Sequence, residues 1–356
     1  MRAPFALAIY LFPATASFAE GPATVKDVSA PAAVVSNLAD AYRATGDYAG
    51  AERLLREGAD SHLFDPGLKS LLRNNLADLL REEGRNSEAR ALFEESARVS
   101  VDAWRQQVGA LIGLADIDRQ EGNWQASIKQ WNEALEICRR EHDERSEAIA
   151  LHGLGITWLQ SGKAARAEPL LHRSLRMMEN NPDTLPEEVA IAHAGLADLY
   201  RSESKLALAE GELSRALQID RGVLGEAHPQ VAVLVAKLAD VYSARGEFSL
   251  AREYGTQASQ TMRAAFGENS MPAAAALTNQ AAVEQRAGDF GAAAKHYECA
   301  IRIARSHPEY GAMQAVMLQR YAGLLKAMHR SREAKALLAQ GGAEVRSFQF
   351  SAPDGR

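Results

Sequence analysis

The chain has 356 residues, a formal net charge of -6 and 47% hydrophobic residues, an ordinary composition for a folded soluble protein and enough for two or three domains unless it is repetitive. With no excess of Lys and Arg, it lacks the cationic surface of a general nucleic-acid binder. Its two cysteines, Cys138 and Cys299, are too distant in an array of local units to form a disulfide, and both read as small buried groups.

The opening stretch MRAPFALAIYLFPATASFAE combines Arg2, an apolar core from Phe5 to Phe12, Pro13 and a run of small residues. This is the pattern of a secretory signal peptide at 1–19, with Ser17 and Ala19, or Ala14 and Ala16, as the small pair before cleavage. The apolar run is too short to span a bilayer. The expectation is an exported protein, periplasmic or secreted, with no transmembrane segment after cleavage. Residues 20–31, EGPATVKDVSAP, read as a flexible leader.

From 32 to 339 the chain repeats itself. A turn residue recurs at Gly46, Gly84, Gly122, Gly162, Ser204, Gly246, Gly288 and His329, at intervals of 38, 38, 40, 42, 42, 42 and 41 residues. Small residues precede each turn (Ala39, Ala77, Ala115, Gly155, Ala197, Ala239, Ala281, Ala322) and follow it (Ala51, Ala89, Ser127, Ala167, Ala209, Ala251, Ala293, Ala334). The stretch LADVYSARGEFSLAREYGTQA, from Leu238, shows the unit most fully: helix, tight turn, helix, with alanines where the two helices must approach closely. Larger residues such as Tyr42, Trp158, Tyr200 and Tyr242 on first helices, and Phe93, Trp131, Phe248 and Tyr297 on second helices, read as core. Asp118 and Glu284 stand where other copies carry Leu or an aromatic residue, so the third and seventh units are expected to pack loosely there. Glu94 with Arg98, Glu136 with Arg140 and Glu298 with Arg302 are spaced for pairing on second helices. Gly341 and Gly342 are expected to stop the last helix. This leaves a C-terminal tail at 340–356 whose Phe348 and Phe350 make it a candidate lid.

These units resemble the tetratricopeptide repeat family in its longer-period form, as in kinesin light chains and many bacterial solenoids. The match is carried by NNLADLLREEGRNSEARALFEESA from Asn74, LHGLGITWLQSGKAARAEPLL from Leu151 and LGEAHPQVAVLVAKLADVYSARGEFSLA from Leu224. A longer second helix and the LGEAHPQVA connection account for the residues beyond the 34 or so of the ordinary motif. His228 with Pro229, and His307 with Pro308, punctuate the chain between hairpins. The resemblance implies an all-α fold: an α-solenoid of about eight helical hairpins in a right-handed superhelix, first helices lining the inner wall and second helices the outer.

No catalytic or metal constellation is legible. The nine histidines form no HExxH, no cysteine has a CxxC partner, and Gly153 and Gly155 lie inside a helix with no preceding strand. No enzyme activity, cofactor or metal is expected. A repeat solenoid binds along its inner wall, and there one slot holds Asp40, Asp78, Asp116, Asp198 and Asp240, followed three residues later by Arg43, Arg81, Arg119 and Arg201. These form either a solvated ladder of local ion pairs or a groove offering acceptors and forked donors to an extended peptide. Some relatives hold a terminal carboxylate with Lys and Asn on this wall. Here Asn37, Asn74, Asn75 and Asn279 are present, but the lysine partners are missing and Asp fills the slot usually given to Asn.

The fourth unit departs from this scheme, with Ile156 and Leu159 in the Asp and Arg slots, Ile149 and His152 on the same face, and Ile191 beginning the next inner helix. Either this is an apolar pocket that anchors one side chain of a partner, or neighbouring helices bury it. On the first reading, Ile156→Asp abolishes binding without unfolding the chain. The function expected is a noncatalytic scaffold for a partner protein or extended peptide. The alternatives are an extracytoplasmic module for a small ligand or envelope polymer, and self-assembly through the terminal repeats.

Overall fold

The computed structural model describes residues 30–44, 48–62, 64–98, 103–307 and 310–349. The expected signal peptide, most of the leader, Gly46, Pro308 and Phe350 lie outside the described residues, as do the side chains of Arg43 and Phe348. Among the described residues sixteen helices follow one another: α1 (Ala30–Ala44), α2 (Tyr48–Asp60), α3 (Pro66–Glu82), α4 (Asn86–Ser96), α5 (Trp104–Gln120), α6 (Trp124–Arg140), α7 (Glu144–Gln160), α8 (Ala164–Asn180), α9 (Pro186–Ser202), α10 (Leu206–Leu224), α11 (Pro229–Arg245), α12 (Phe248–Phe266), α13 (Met271–Arg286), α14 (Phe290–Arg305), α15 (Gly311–Ala327) and α16 (Ser331–Gln349). They fall into two units, one ending with α9 at Lys205 and the other beginning with α10 at Leu206.

At the seven described turns of the period the helices stop and restart by the same device. The residue after Gly84, Gly122, Gly162, Ser204, Gly246, Gly288 and His329 donates its N–H to the carbonyl five positions earlier, as in Asn123 to Asp118 at 2.7 Å and Glu247 to Tyr242 at 2.9 Å. This six-to-one bond is the Schellman closure, and it requires a left-handed residue just past the helix end. Glycine supplies it five times; Ser204 (φ 61°) and His329 (φ 62°) adopt it with a Cβ in place. Helix starts are marked by side-chain caps and prolines: Asp65 accepts from Leu68 N at 2.9 Å, Ser270 from Ala273 N at 3.3 Å, and Pro66, Pro186, Pro229 and Pro272 occupy first-turn positions. His228, one of the two expected punctuation residues, caps α11 by accepting from Gln230 N at 3.2 Å.

Within each unit the small residues sit where helices meet. All those before and after the turns are buried, and every one after the turn is fully buried. Around these notches the larger side chains form continuous cores, such as Leu72, Leu76, Leu80, Phe93 and Leu114 across the first three hairpins. Elsewhere glycine creates the notch: a Cβ on Gly153 would lie 2.2 Å from the Trp131 ring, and one on Gly113 2.3 Å from Phe93. Trp131 is held further by its Nε1–H, which donates to Thr157 Oγ1 at 3.1 Å. Cys138 is buried and Cys299 partly so, both as free thiols, and burial pushes the Cys138 pKa up to about 12.

Three expectations need correction. Asp118 and Glu284 do not leave loose packing. Asp118 is 3% exposed and accepts from Arg90 at 2.9 Å, Gln130 at 2.9 Å and Asn123 at 3.3 Å. Glu284 is 6% exposed and bonds His296 Nδ1 at 2.7 Å. In both units a satisfied polar cluster replaces an apolar filler, because a buried carboxylate is tolerated only when its lone pairs are met. Of the three outer-face pairs, Glu94 and Arg98 approach to 3.9 Å, whereas Arg140 turns to Glu141, Arg302 to the Cys299 sulfur, and Glu298 accepts from Tyr321. The last helix does not stop at Gly341. It runs on to Gln349, and Gly341 serves as a packing notch where a Cβ would meet Leu318 at 2.2 Å.

Candidate functional site

Successive first helices touch one another within each unit: α1 with α3, α3 with α5, α5 with α7, α7 with α9, and separately α11 with α13 and α13 with α15. No contact of comparable extent joins successive second helices among the described residues. Closer spacing on one side of a stack makes that side the inside of the local curve, so within each unit the first helices form the inner wall.

The Asp and Arg slots lie on this wall and pair locally. Asp78 meets Arg81 at 3.0 Å, Asp116 meets Arg119 at 2.9 Å and Asp198 approaches Arg201 at 3.8 Å. Asp40 is exposed. Asp240, which has no arginine three residues later, is reached instead by Arg286 from α13 at 3.1 Å. Arg81 lies between two carboxylates. Burial acts to lower its pKa, but Asp78 and Asp116 of the next hairpin outweigh this and hold it above its ordinary value. Such partly desolvated pairs are stronger than the roughly 0.2 to 0.5 kcal/mol of an exposed helical pair. An aspartate already bonded to one arginine still has acceptor capacity for the N–H groups of a bound backbone.

Adjacent first helices are also laced together. Asn74 donates to the Gln106 carbonyl at 2.8 Å, Asn75 to Ser36 at 2.9 Å, Arg119 to Gln160 at 3.1 Å and Arg320 to Asn279 at 3.2 Å. Arg145 of α7 grips Glu188 of α9 with two bonds, at 2.8 and 3.0 Å, while the same carboxylate accepts from Leu185 N. Gln106, Gln160, Arg145, Glu188 and Arg320 were absent from the sequence-based site, since their bonds span neighbouring repeats. Their shared register with residues one period away is the only signal that points to them.

The apolar part of the expected site is mostly interior. Ile149, Ile156 and Leu159 are 8%, 5% and 4% exposed and belong to one core with Leu171, Leu196 and Leu199. Helix α9 covers them because Gly195 has no side chain: a Cβ there would lie 2.5 Å from the His152 ring and 3.3 Å from Ile156. His152 and Ile191 remain partly exposed, so they are what this level of the wall offers to a partner. Among the described residues, no helix is long and apolar enough to cross a membrane.

Comparison with known proteins agrees with this geometry. A family profile described as tetratricopeptide repeat matches residues 107–180, 188–264 and 235–306, and a second with the same description matches 32–62 and 71–102. No curated protein matches the chain. Among solved structures, a Rap protein complexed with competence and sporulation factor is similar with a TM-score of 0.61 at 16% identity, over 90% of this chain and 94% of that one. NprR in complex with its cognate peptide NprX gives 0.60 at 13% identity, over 88% and 90%. BtubC (BKLC) from P. vanneervenii gives 0.52 at 20% identity, over 65% and 95%.

Proposed function

The chain belongs to the tetratricopeptide repeat family, and from that premise we propose that it is a noncatalytic scaffold whose first-helix wall binds an extended segment of a partner protein. The observation that carries this reading is the row of aspartate and arginine pairs at Asp78, Asp116 and Asp198, at one level of α3, α5 and α9 and interrupted on α7 by Ile156 and Leu159. Second helices, turns and small residues are consumed by packing, whereas the aspartates of this row stay partly exposed beside their arginines. Two of the similar structures are described as complexes, one with a cognate peptide and one with competence and sporulation factor, which supports the same use here. In the first unit the site comprises Asp40, Arg43, Asn74, Asp78, Arg81, Asp116, Arg119, His152, Ile191, Asp198 and Arg201, with Ile149, Ile156 and Leu159 supporting it from within, and Asp240 is its counterpart on the first-helix wall of the second unit.

The reading includes export, on the strength of residues 1–19; mass spectrometry of the protein expressed from its own start would find the mature chain beginning after Ala19 or Ala16. Binding is tested by selecting peptides from a random display library against the full chain. Ile191→Asp and Arg201→Glu are expected to weaken a selected peptide at least tenfold with little change in melting temperature, while Arg98→Ala on the outer face leaves it unchanged. Selection of nothing above background, or equal loss in all three variants, would overturn the reading.

A further inference from the structure

Within the first unit, a first helix receives the second helix before it through two slots, five and one positions ahead of the small residue that precedes the turn. Leu72 and Leu76 fill them on α3 and share a core with Leu55 of α2; Ala192 and Leu196 fill them on α9 and share one with Leu171 of α8. The approach is close, since a Cβ on Gly58 of α2 would lie 2.8 Å from Leu72. Across α3, α5, α7 and α9 the residues in both slots are at most 5% exposed. The second unit uses the same geometry: Tyr297 of α14 stacks on Tyr321, in the later slot on α15, with 5.8 Å between ring centroids. The second helix contributes the residue four positions past the small residue that follows the turn, and there Leu55, Phe93, Trp131, Leu171, Leu213 and Tyr297 are at most 2% exposed.

The first and last described helices keep these side chains without the cover. On α1 the two slots hold Val34 and Leu38, 62% and 45% exposed, and on α16 the second-helix slot holds Leu338, 37% exposed. Terminal repeats of a solenoid ordinarily present a polar outer face, whereas these retain the apolar residues of an interior junction. Beside Leu338, the exposed Lys335 stands in the slot from which Arg90 bonds Asp118 and Glu210 accepts from Tyr242, each at 2.9 Å, on the following first helix. Tyr42 holds the receiving slot on α1.

We propose that these two faces bind each other between copies: α16 of one molecule docks on α1 of a second in the place of a preceding second helix, with Leu338 against Val34 and Leu38 and Lys335 beside Tyr42. The occupant is a second copy because the chain carries both halves of the junction, in the register that it uses internally. Such a contact is heterologous, so each pair keeps one α1 face and one α16 face for further copies. A single hairpin face is small beside the roughly 1,200 to 2,000 Å² of a stable interface, so the association is weak and concentration-dependent. It uses none of the inner-wall aspartates and arginines, and it stands or falls independently of the peptide-binding reading.

The test is sedimentation velocity on the full chain from about 1 μM to about 1 mM. The weight-average mass is expected to rise with concentration beyond that of a dimer. Leu38→Lys and Leu338→Lys should each hold the protein monomeric with an unchanged melting temperature. An equimolar mixture of the two should form one-to-one pairs and nothing larger, since one intact α16 face and one intact α1 face remain between them. Val34→Lys takes the place of Leu38→Lys if that variant melts early. The proposal is overturned by a monomer at every concentration, by a mixture that stays monomeric, or by a dimer that persists in Leu338→Lys, which would seat α1 on its own copy instead.

Discussion

His329 shows what a single residue costs at a turn. It takes the left-handed conformation with φ 62° where five equivalent turns use glycine, and its side chain is exposed. A Cβ in that region is strained by about 1 kcal/mol. His329→Gly is therefore expected to stabilise the last hairpin by roughly 0.5 to 1 kcal/mol, measured as a higher urea midpoint. No gain would mean that the side chain contributes something the backbone geometry does not reveal. Asp118 gives the pH-dependent counterpart. Burial raises its pKa, but hydrogen bonds from Arg90, Gln130 and Asn123 outweigh this and hold it below its ordinary value. A group depressed in the folded state stabilises the fold above its unfolded pKa, and that contribution is lost as pH falls through the folded value. Asp118→Asn should cost about 1 to 3 kcal/mol at neutral pH. Denaturation across a pH series should show this gap constant down to about pH 5 and shrinking below about pH 4. A gap that widens in acid would contradict the assignment. Nothing in the sequence announced this cluster, because Arg90 and Gln130 lie 28 and 12 residues from Asp118 on other helices.

At the scale of the helix, packing notches make the sharpest predictions. Gly153→Ala places a methyl group against a Trp131 ring that is buried and hydrogen-bonded, and overpacking of this kind costs about 1 to 3 kcal/mol. Ile156→Asp puts a carboxylate among Leu171, Leu196 and Leu199 with no partner in the core. It is expected to lower the melting temperature sharply, as the burial reading of this face requires and the open-pocket reading does not. If circular dichroism shows an unshifted melt for either variant, the close packing of α7 is wrong. The contrast shows which features were legible. Small residues and turns could be read because each recurs one period away and serves a contact inside its own hairpin. The burial of Ile156 could only be set beside an open pocket, since the choice depends on Gly195 of the next first helix. The Arg145–Glu188 clasp spans 43 residues and had no local cue. Gly341 misled for the same reason: a glycine suits a helix end or a helix contact, and only Leu318, from the preceding helix, decides between them.

For the whole chain, contacts run between successive helices and between adjacent first helices within each unit, so stability is a sum over neighbours. The same arrangement leaves one face of each first helix outside the packing, and that remainder carries the proposed function. The most direct measurement is hydrogen–deuterium exchange by mass spectrometry on the full chain, with and without a peptide selected from the display library. The account predicts slowed exchange concentrated in the first helices α3, α5, α7 and α9, and little change in the second helices. Protection confined to the second helices or the turns, at saturating peptide, would contradict it.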